Sequence, residues 1–341
     1  MKKLLIICLT LLALSTMLLL TSCSAIFNTT KLGDVVNKTY NFKDFTNVQI
    51  SNSFHYDLEQ SDTFSVSAAT YSSLLDLLDI HQSGNTLYVS MKNNTLFGLN
   101  SSNGDYPSVT INLPQLNKLT ASGSCHGTAA GFNSTGDLEV DLSGSSGANL
   151  DITAGKTNMN ISGSSNVSGN LTAADTSITV SSSSRLDMVL ITGKTNLTFS
   201  GSSRGSGSLT AADTTINVTS SSNINIAMKT GNATFSAFGS SYIDGGLIAL
   251  NSDFTLTDSS HSNLQGTTGD ATIFASGSSY INFPGLILHS ADVTLQSSSH
   301  GNIYTDGTLN IDISGASSLD YYGNPTIGKT DVSGASKMNH Q

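Results

Sequence analysis

The chain has 341 residues, of which only 11% are charged, with a formal net charge of −10, 31 Gly, 4 Pro and no Trp. That balance excludes nucleic acid and anionic membrane surfaces as electrostatic partners, because no basic stripe exists to neutralise phosphates. The three cysteines are Cys8, Cys23 and Cys125. They cannot form a disulfide framework, since Cys8 falls within a leader, and Cys125 reads as a small buried thiol.

Residues 1–23 are MKKLLIICLTLLALSTMLLLTSC. Lys2 and Lys3 precede an apolar run over residues 4–20, and small residues lead into Cys23, which is the layout of an export signal. The ending Leu20-Thr21-Ser22-Cys23 resembles the bacterial lipobox, which implies a signal peptide over residues 1–22 and lipidation at Cys23. Read instead as an uncleaved anchor, a run of ~17 apolar residues sits at the lower limit for spanning a bilayer. Either reading places the remainder outside the cytosol, in the bacterial cell envelope, at the outer membrane or cell surface. Residues 23–38 form a polar tether.

Residues 39–118 read as a strand-rich segment. Val48 and Ile50, then Phe54, Tyr56 and Leu58, then Phe64 and Val66, alternate apolar with polar as half-buried strands do. Leu74, Leu75, Leu77 and Leu78 suggest one helical turn before a strand at residues 87–91, and a strand at residues 109–113 ends at Pro114. Such a segment would close a solenoid end that otherwise exposes unpaired edges.

From residue 119 to 341 the chain repeats. The tetrapeptide SGSS or a near copy recurs after Ala121, Leu142, Ile161, Val180, Phe199, Val218, Ala237, Leu256, Ala275, Leu295, Ile313 and Val332, mostly at intervals of 19. Two residues before most of these anchors stands a second apolar residue, from Met159 and Ile178 to Val293 and Ile311. Alternate copies are closer still: NLTAADTSITVSSSS and SLTAADTTINVTSSS begin 38 residues apart. Nineteen residues are too few for a strand–helix–strand unit, and Thr, Val, Ile and Ser are strand formers. The expected fold is all-β, a right-handed parallel β-helix of about twelve coils. With ~4.8 Å between stacked strands it would form a rod of roughly 58 Å. Corners stacked in this way demand small residues, which the Ser-Gly-Ser-Ser turn supplies.

The order FTNVQISNSFHYDLEQSDTFSVSA, LLDLLDIHQSGNTLYVSM and VTINLPQLNKLTASGS, with Pro114-Gln115-Leu116 stepping into Ser122-Gly123-Ser124, resembles a bacterial envelope family, the auto-transporter adhesin head GIN domain. The resemblance covers roughly residues 40–340. It implies a β-helix, suggests adhesion, and carries over no catalytic residues.

GNPTIGKT, residues 323–330, fits the phosphate-loop pattern letter for letter. The same Gly-Lys-Thr stands at Gly155 and Gly193, in a corner column with Gly136, Gly231, Gly269 and Gly307. A phosphate loop also needs a following helix, and only 11 residues remain after Thr330. The triplet therefore reads as a coil corner.

One candidate binding feature emerges. Five residues after successive anchors come Asn166, Arg185, Arg204, Asn223, Tyr242, His261, Tyr280 and His300, a column of long polar and aromatic side chains on one edge of the rod. It contains no carboxylate, so acid–base chemistry on sugars has no pair to work with there. His261 and His300 stand two coils apart, roughly 10 Å, too far to share a metal. The sequence therefore points to a non-enzymatic envelope lipoprotein without cofactor or metal, binding polysaccharide or a surface protein. The stripe itself reads either as a solvated corner that tolerates any polar residue or as a ligand-facing edge on which Tyr242 and Tyr280 stack sugars or peptide. Two alternatives stay open: a polysaccharide-active enzyme on the same fold, or a structural component that assembles end to end as a homo-oligomer through its C-terminal coil.

Overall fold

The computed structural model describes residues 33–92 and 107–341. The leader, Cys23 and the first part of the tether lie outside the described residues.

All twelve anchors fall in one register column, each aligned with the next from Ala121–Leu142 through Ile313–Val332. Strands pair in parallel throughout this stretch, so the repeat is a parallel solenoid with the predicted spacing. The column from Met159 to Ile311 and the anchors from Ala121 to Ile313 are buried, as are Ile224, Ile226, Ile281 and Phe283. Large and small side chains compensate inside the rod. The Phe199 ring occupies the space where a Cβ on Gly205 would sit, 2.5 Å away. Phe235 stacks on Phe254 at 4.9 Å.

The solenoid also reaches further back than residue 119. Strands β1 (Val35–Tyr40), β2 (Asn47–Ile50), β3 (His55–Gln60), β4 (Ser65–Tyr71), β5 (Leu78–Ser83), β6 (Thr86–Met91), β7 (Ser108–Leu113), β8 (Lys118–Ala121) and β9 (His126–Asn133) form its beginning. β2 and β3 pair in parallel with β8 and β9, placing Ile50 under Ala121. β6 and β7 pair in parallel with the opposite edges of β2 and β3. The coil of β2 and β3 is thus sandwiched between two coils that come later in sequence. The closing function expected of the whole segment falls to β1, β4 and β5, which run antiparallel against β4, β7 and β6 respectively. β1 begins inside the stretch expected to be tether, with Val35 opposite Tyr71. The expected helical turn is a 3-10 turn at Ser72–Leu77.

The corner after each anchor has one conformation. The residue two past every anchor is in the left-handed region, with φ between 63° and 78° at all twelve sites. From Ser182 to Gly315 glycine alternates with another residue: Ser182, Gly201, Ser220, Gly239, Asp258, Gly277, Ser297, Gly315. The reason is closeness. Backbone bonds such as Ser202 N–H to Ser182 O, 2.6 Å, hold one corner on the next. A Cβ on Gly201 would lie 2.8 Å from Ser182 O, and one on Gly277 would lie 2.6 Å from Asp258 O. Side chains at this position therefore never occur in consecutive coils of that run.

The left-handed region costs a non-glycine residue roughly 1–2 kcal/mol, partly offset by the greater chain entropy of glycine when unfolded. Ser182→Gly is expected to raise stability by up to ~1 kcal/mol. Gly201→Val, which adds a β-branched side chain against backbone, should lower it by ~2 kcal/mol or more. Urea unfolding followed by circular dichroism checks both signs, and a stabilised Gly201→Val would contradict the corner geometry.

Candidate functional site

Two residues past each left-handed corner position, the chain turns a side chain inward. Ser146, Ser165, Ser184, Ser203, Ser222, Ser241, Ser260, Ser279, Ser299 and Ser317 are all buried there. Several donate to the carbonyl three residues back, as Ser279 Oγ does to Ser276 O at 2.7 Å. Cys125 occupies the same position in its coil, and its thiol donates to Ser122 O at 3.1 Å. Burial pushes that thiol above its ordinary pKa, against the pull of backbone hydrogen bonds. Cys125 is thus a member of the serine ladder.

One residue further on, side chains point out. All eight residues of the predicted stripe fall in this column, each aligned with its neighbour from Asn166 through His300. The column continues downward through Gly147 and His126 to His55, and upward to Ser318 and Lys337. Both added histidines keep the five-residue offset from Ile50 and Ala121, the signal by which they could have been found.

The rings are not arranged as open platforms. Tyr242 stacks on His261 at 4.8 Å and 14°, and Tyr280 stacks on His300 at 4.9 Å and 5°. His261 meets Tyr280 at 6.1 Å, tilted by 50°. Stacking on a ligand, as ring faces on a surface commonly do, is therefore largely pre-empted by stacking along the column. The stripe offers edges, the hydroxyls of Tyr242 and Tyr280, and imidazole nitrogens.

Beside it runs a second outward column that the sequence reading did not single out: Asn149, Ser168, Asp187, Ser206, Asn225, Asp244, Asn263, Asn282, Asn302, Asp320 and Asn339. Its amides bond along the rod, as Asn282 Nδ2 does to Asn263 Oδ1 at 2.9 Å. Burial raises the Asp244 carboxyl above its ordinary pKa, and His261 opposes that rise. The carboxylates of this ladder never stand in adjacent coils. Asp187 and Asp244 are three coils apart, ~14 Å, beyond the separations at which paired carboxyls hydrolyse glycosidic bonds. Among the described residues no group of three or more His, Cys, Asp or Glu gathers to hold a metal ion.

Two hollows adjoin on this face. One, of about 370 Å3, is lined by Asn225, Asp244, Gly245, Asn263, Leu264 and Gln265. The other, of about 410 Å3, is lined by apolar Ala227, Met228, Leu247 and Ile248, by Gly246, Gly266 and Gly285, and again by Gln265. Gly245 and Gly266 have φ of 131° and 125°, and a Cβ on either would lie 2.2 Å from the carbonyl oxygen of the coil beneath.

The phosphate-loop lookalike sits elsewhere. Residues 328–330 lie within strand Thr326–Val332, and the next element is strand Lys337–His340, where a phosphate loop would need a helix. Lys329 N–H donates to Asn310 Oδ1 at 2.8 Å. Lys156 and Lys194 make the same contact to Asp137 and Asp175, at 3.0 and 2.9 Å. All three triplets are corners capped by an acceptor one coil below.

The family model for "Putative auto-transporter adhesin, head GIN domain" matches residues 44–215 and 208–325. Among solved structures, a "putative adhesin" from Parabacteroides merdae is 16% identical, with 91% of this chain and 97% of that one covered and a TM-score of 0.33. A "putative adhesin" from Bacteroides fragilis is 15% identical over 90% and 97%, with a TM-score of 0.31. A "putative lipid binding protein" from Parabacteroides distasonis is 17% identical over 91% and 97%, with a TM-score of 0.28. Overlays this loose carry no argument about a ligand. No curated protein matches.

In a chain starting at Ser24, Cys125 is the one thiol. It is expected to resist a water-soluble thiol reagent in the folded protein and to react fully in denaturant, and Cys125→Ser should fold with stability within ~1 kcal/mol of the parent. Rapid labelling of the native protein would show the coil to be open at that point.

Proposed function

The chain belongs to the head GIN domain family, and on that premise we propose that it is a non-enzymatic adhesive rod of the bacterial cell envelope. In this reading Cys23 carries the lipid that ties residues 23–38 to the membrane, and the solenoid presents the stripe and the Asn/Asp ladder to an extended ligand. The observation that carries the proposal is the pairing of those two outward columns. Both run in register along the rod, one of aromatic edges and imidazoles, the other of amides. An array of hydrogen-bonding groups held rigidly by a backbone ladder needs little ordering to bind a linear polymer.

A glycan and matrix-protein array probed with the chain from Ser24 tests it, beside a variant with Tyr242, His261 and Tyr280 changed to Ala. These side chains are on the surface, so the fold should be retained. Retention on the array is expected to fall at least tenfold. Binding that is unchanged while circular dichroism shows an intact rod would move the binding face elsewhere.

A further inference from the structure

The binding face has a period that its individual coils lack. Its inward neighbour column alternates large and absent side chains: Leu150, Gly169, Met188, Gly207, Ile226, Gly245, Leu264. The three glycines have φ of 114°, 121° and 131°, and a Cβ on each would lie 2.0–2.2 Å from the carbonyl oxygen of the coil beneath. The stripe alternates too over its upper part, Tyr242, His261, Tyr280, His300. From Leu150 to Leu264 the structural unit is therefore two coils, which at ~4.8 Å each makes ~9.6 Å.

That length is close to one disaccharide of an extended β-linked glycan, in which successive sugars are turned over and equivalent groups recur at every second ring. It is a poor match to a β-extended peptide, whose side chains recur on one face every ~6.7 Å, whereas a polyproline II peptide repeats every ~9.3 Å and is the peptide to be tested against it.

Charge and polarity narrow the ligand further. Lys229 aligns with Ile248 beside the apolar hollow, and Asp244 lines the polar one, so the patch has no net charge to attract an ionic polymer. The chain's own −10 opposes a polyanion. The two hollows meet at Gln265, the polar one reaching across three successive coils from Asn225 to Asn263 and the apolar one across four from Ala227 to Gly285. The polar one presents the amides of Asn225 and Asn263, and the apolar one is walled by Met228, Leu247 and the exposed Ile248. A polar edge beside an apolar recess suits a sugar with an acetamido group, its amide on Gln265 and Asn263 and its methyl against Ile248.

Resting on the binding face proposed above, we infer that the ligand is a neutral, β-linked polysaccharide rich in acetamido sugars, lying parallel to the rod with one disaccharide per two coils.

Isothermal titration calorimetry of the chain from Ser24 with chitohexaose tests this, with cellohexaose, polygalacturonate and a proline decapeptide as controls. Chitohexaose should bind, cellohexaose at least tenfold more weakly, and the other two not at all. Gln265→Ala and Asn263→Ala, both on exposed side chains, should each weaken chitohexaose by fivefold or more while leaving the circular dichroism spectrum unchanged. Failure of chitohexaose to bind, equal binding of cellohexaose, or indifference to both substitutions would overturn the inference, as would binding of the proline peptide through the same residues. If chitohexaose fails but the array still shows binding that needs Tyr242, His261 and Tyr280, the ligand class is wrong and the binding face stands. If array binding survives the triple substitution, the face itself is wrong.

Discussion

The structure depends on a backbone hydrogen-bond ladder that does not stop at the corners. Ser162 N–H reaches Leu142 O, Ser164 N–H reaches Gly144 O, and Asn166 N–H reaches Ser146 O, so the ladder passes through the turn. Buried backbone groups must find partners, and here each coil finds them on the coil beneath. The consequence is strict stacking, in which a position lies over the same position one coil down except at a few bulges, such as those between Asn263 and Gly266 and between Phe283 and Ile287. Corners must then be small enough to nest, which explains the left-handed turn and its glycines. Inside, the same rule makes columns of serine, of Val, Ile and Leu, and of phenylalanine.

Strict stacking also governs chemistry on the outside. An outward side chain is copied, with variation, every ~4.8 Å, so the natural product of this fold is an array. An array recognises a polymer through many weak contacts acting together, and avidity rather than any single residue supplies the affinity. It is a poor way to bring two or three groups to one point. The carboxylates spread along the Asn/Asp ladder show that separation plainly.

Much of this was legible in the sequence, because a stacked solenoid writes its register as a period. The anchors, the buried alternation and the stripe all follow from one 19-residue interval. The first two coils were not legible. Ile50 belongs to the anchor column, yet 71 residues separate it from Ala121, because β4, the 3-10 turn and the coil of β6 and β7 intervene. Periodicity has no means of showing that a coil is sandwiched between later ones. The Asn/Asp ladder was overlooked for a different reason: surface Asn and Asp are what any solvated strand displays, and only register turns them into a column. The hollows at Gly245 and Gly266 depend on positive φ, which a glycine permits without announcing.

The two-coil unit ties these levels together. From Ser182 to Ser297, a left-handed corner with a side chain has glycine on both sides in the stack, as Gly163 and Gly201 flank Ser182. The kinked positions follow the same alternation, Gly207 between Met188 and Ile226. In this alternating stretch a single coil is complete as hydrogen bonding and incomplete as packing, and the 38-residue pair of coils satisfies both. Between Leu150 and Leu264, whatever lies on the outer face meets equivalent backbone shape only at every second coil. The spacing that a bound polymer would sense is set by packing in the corners and the interior.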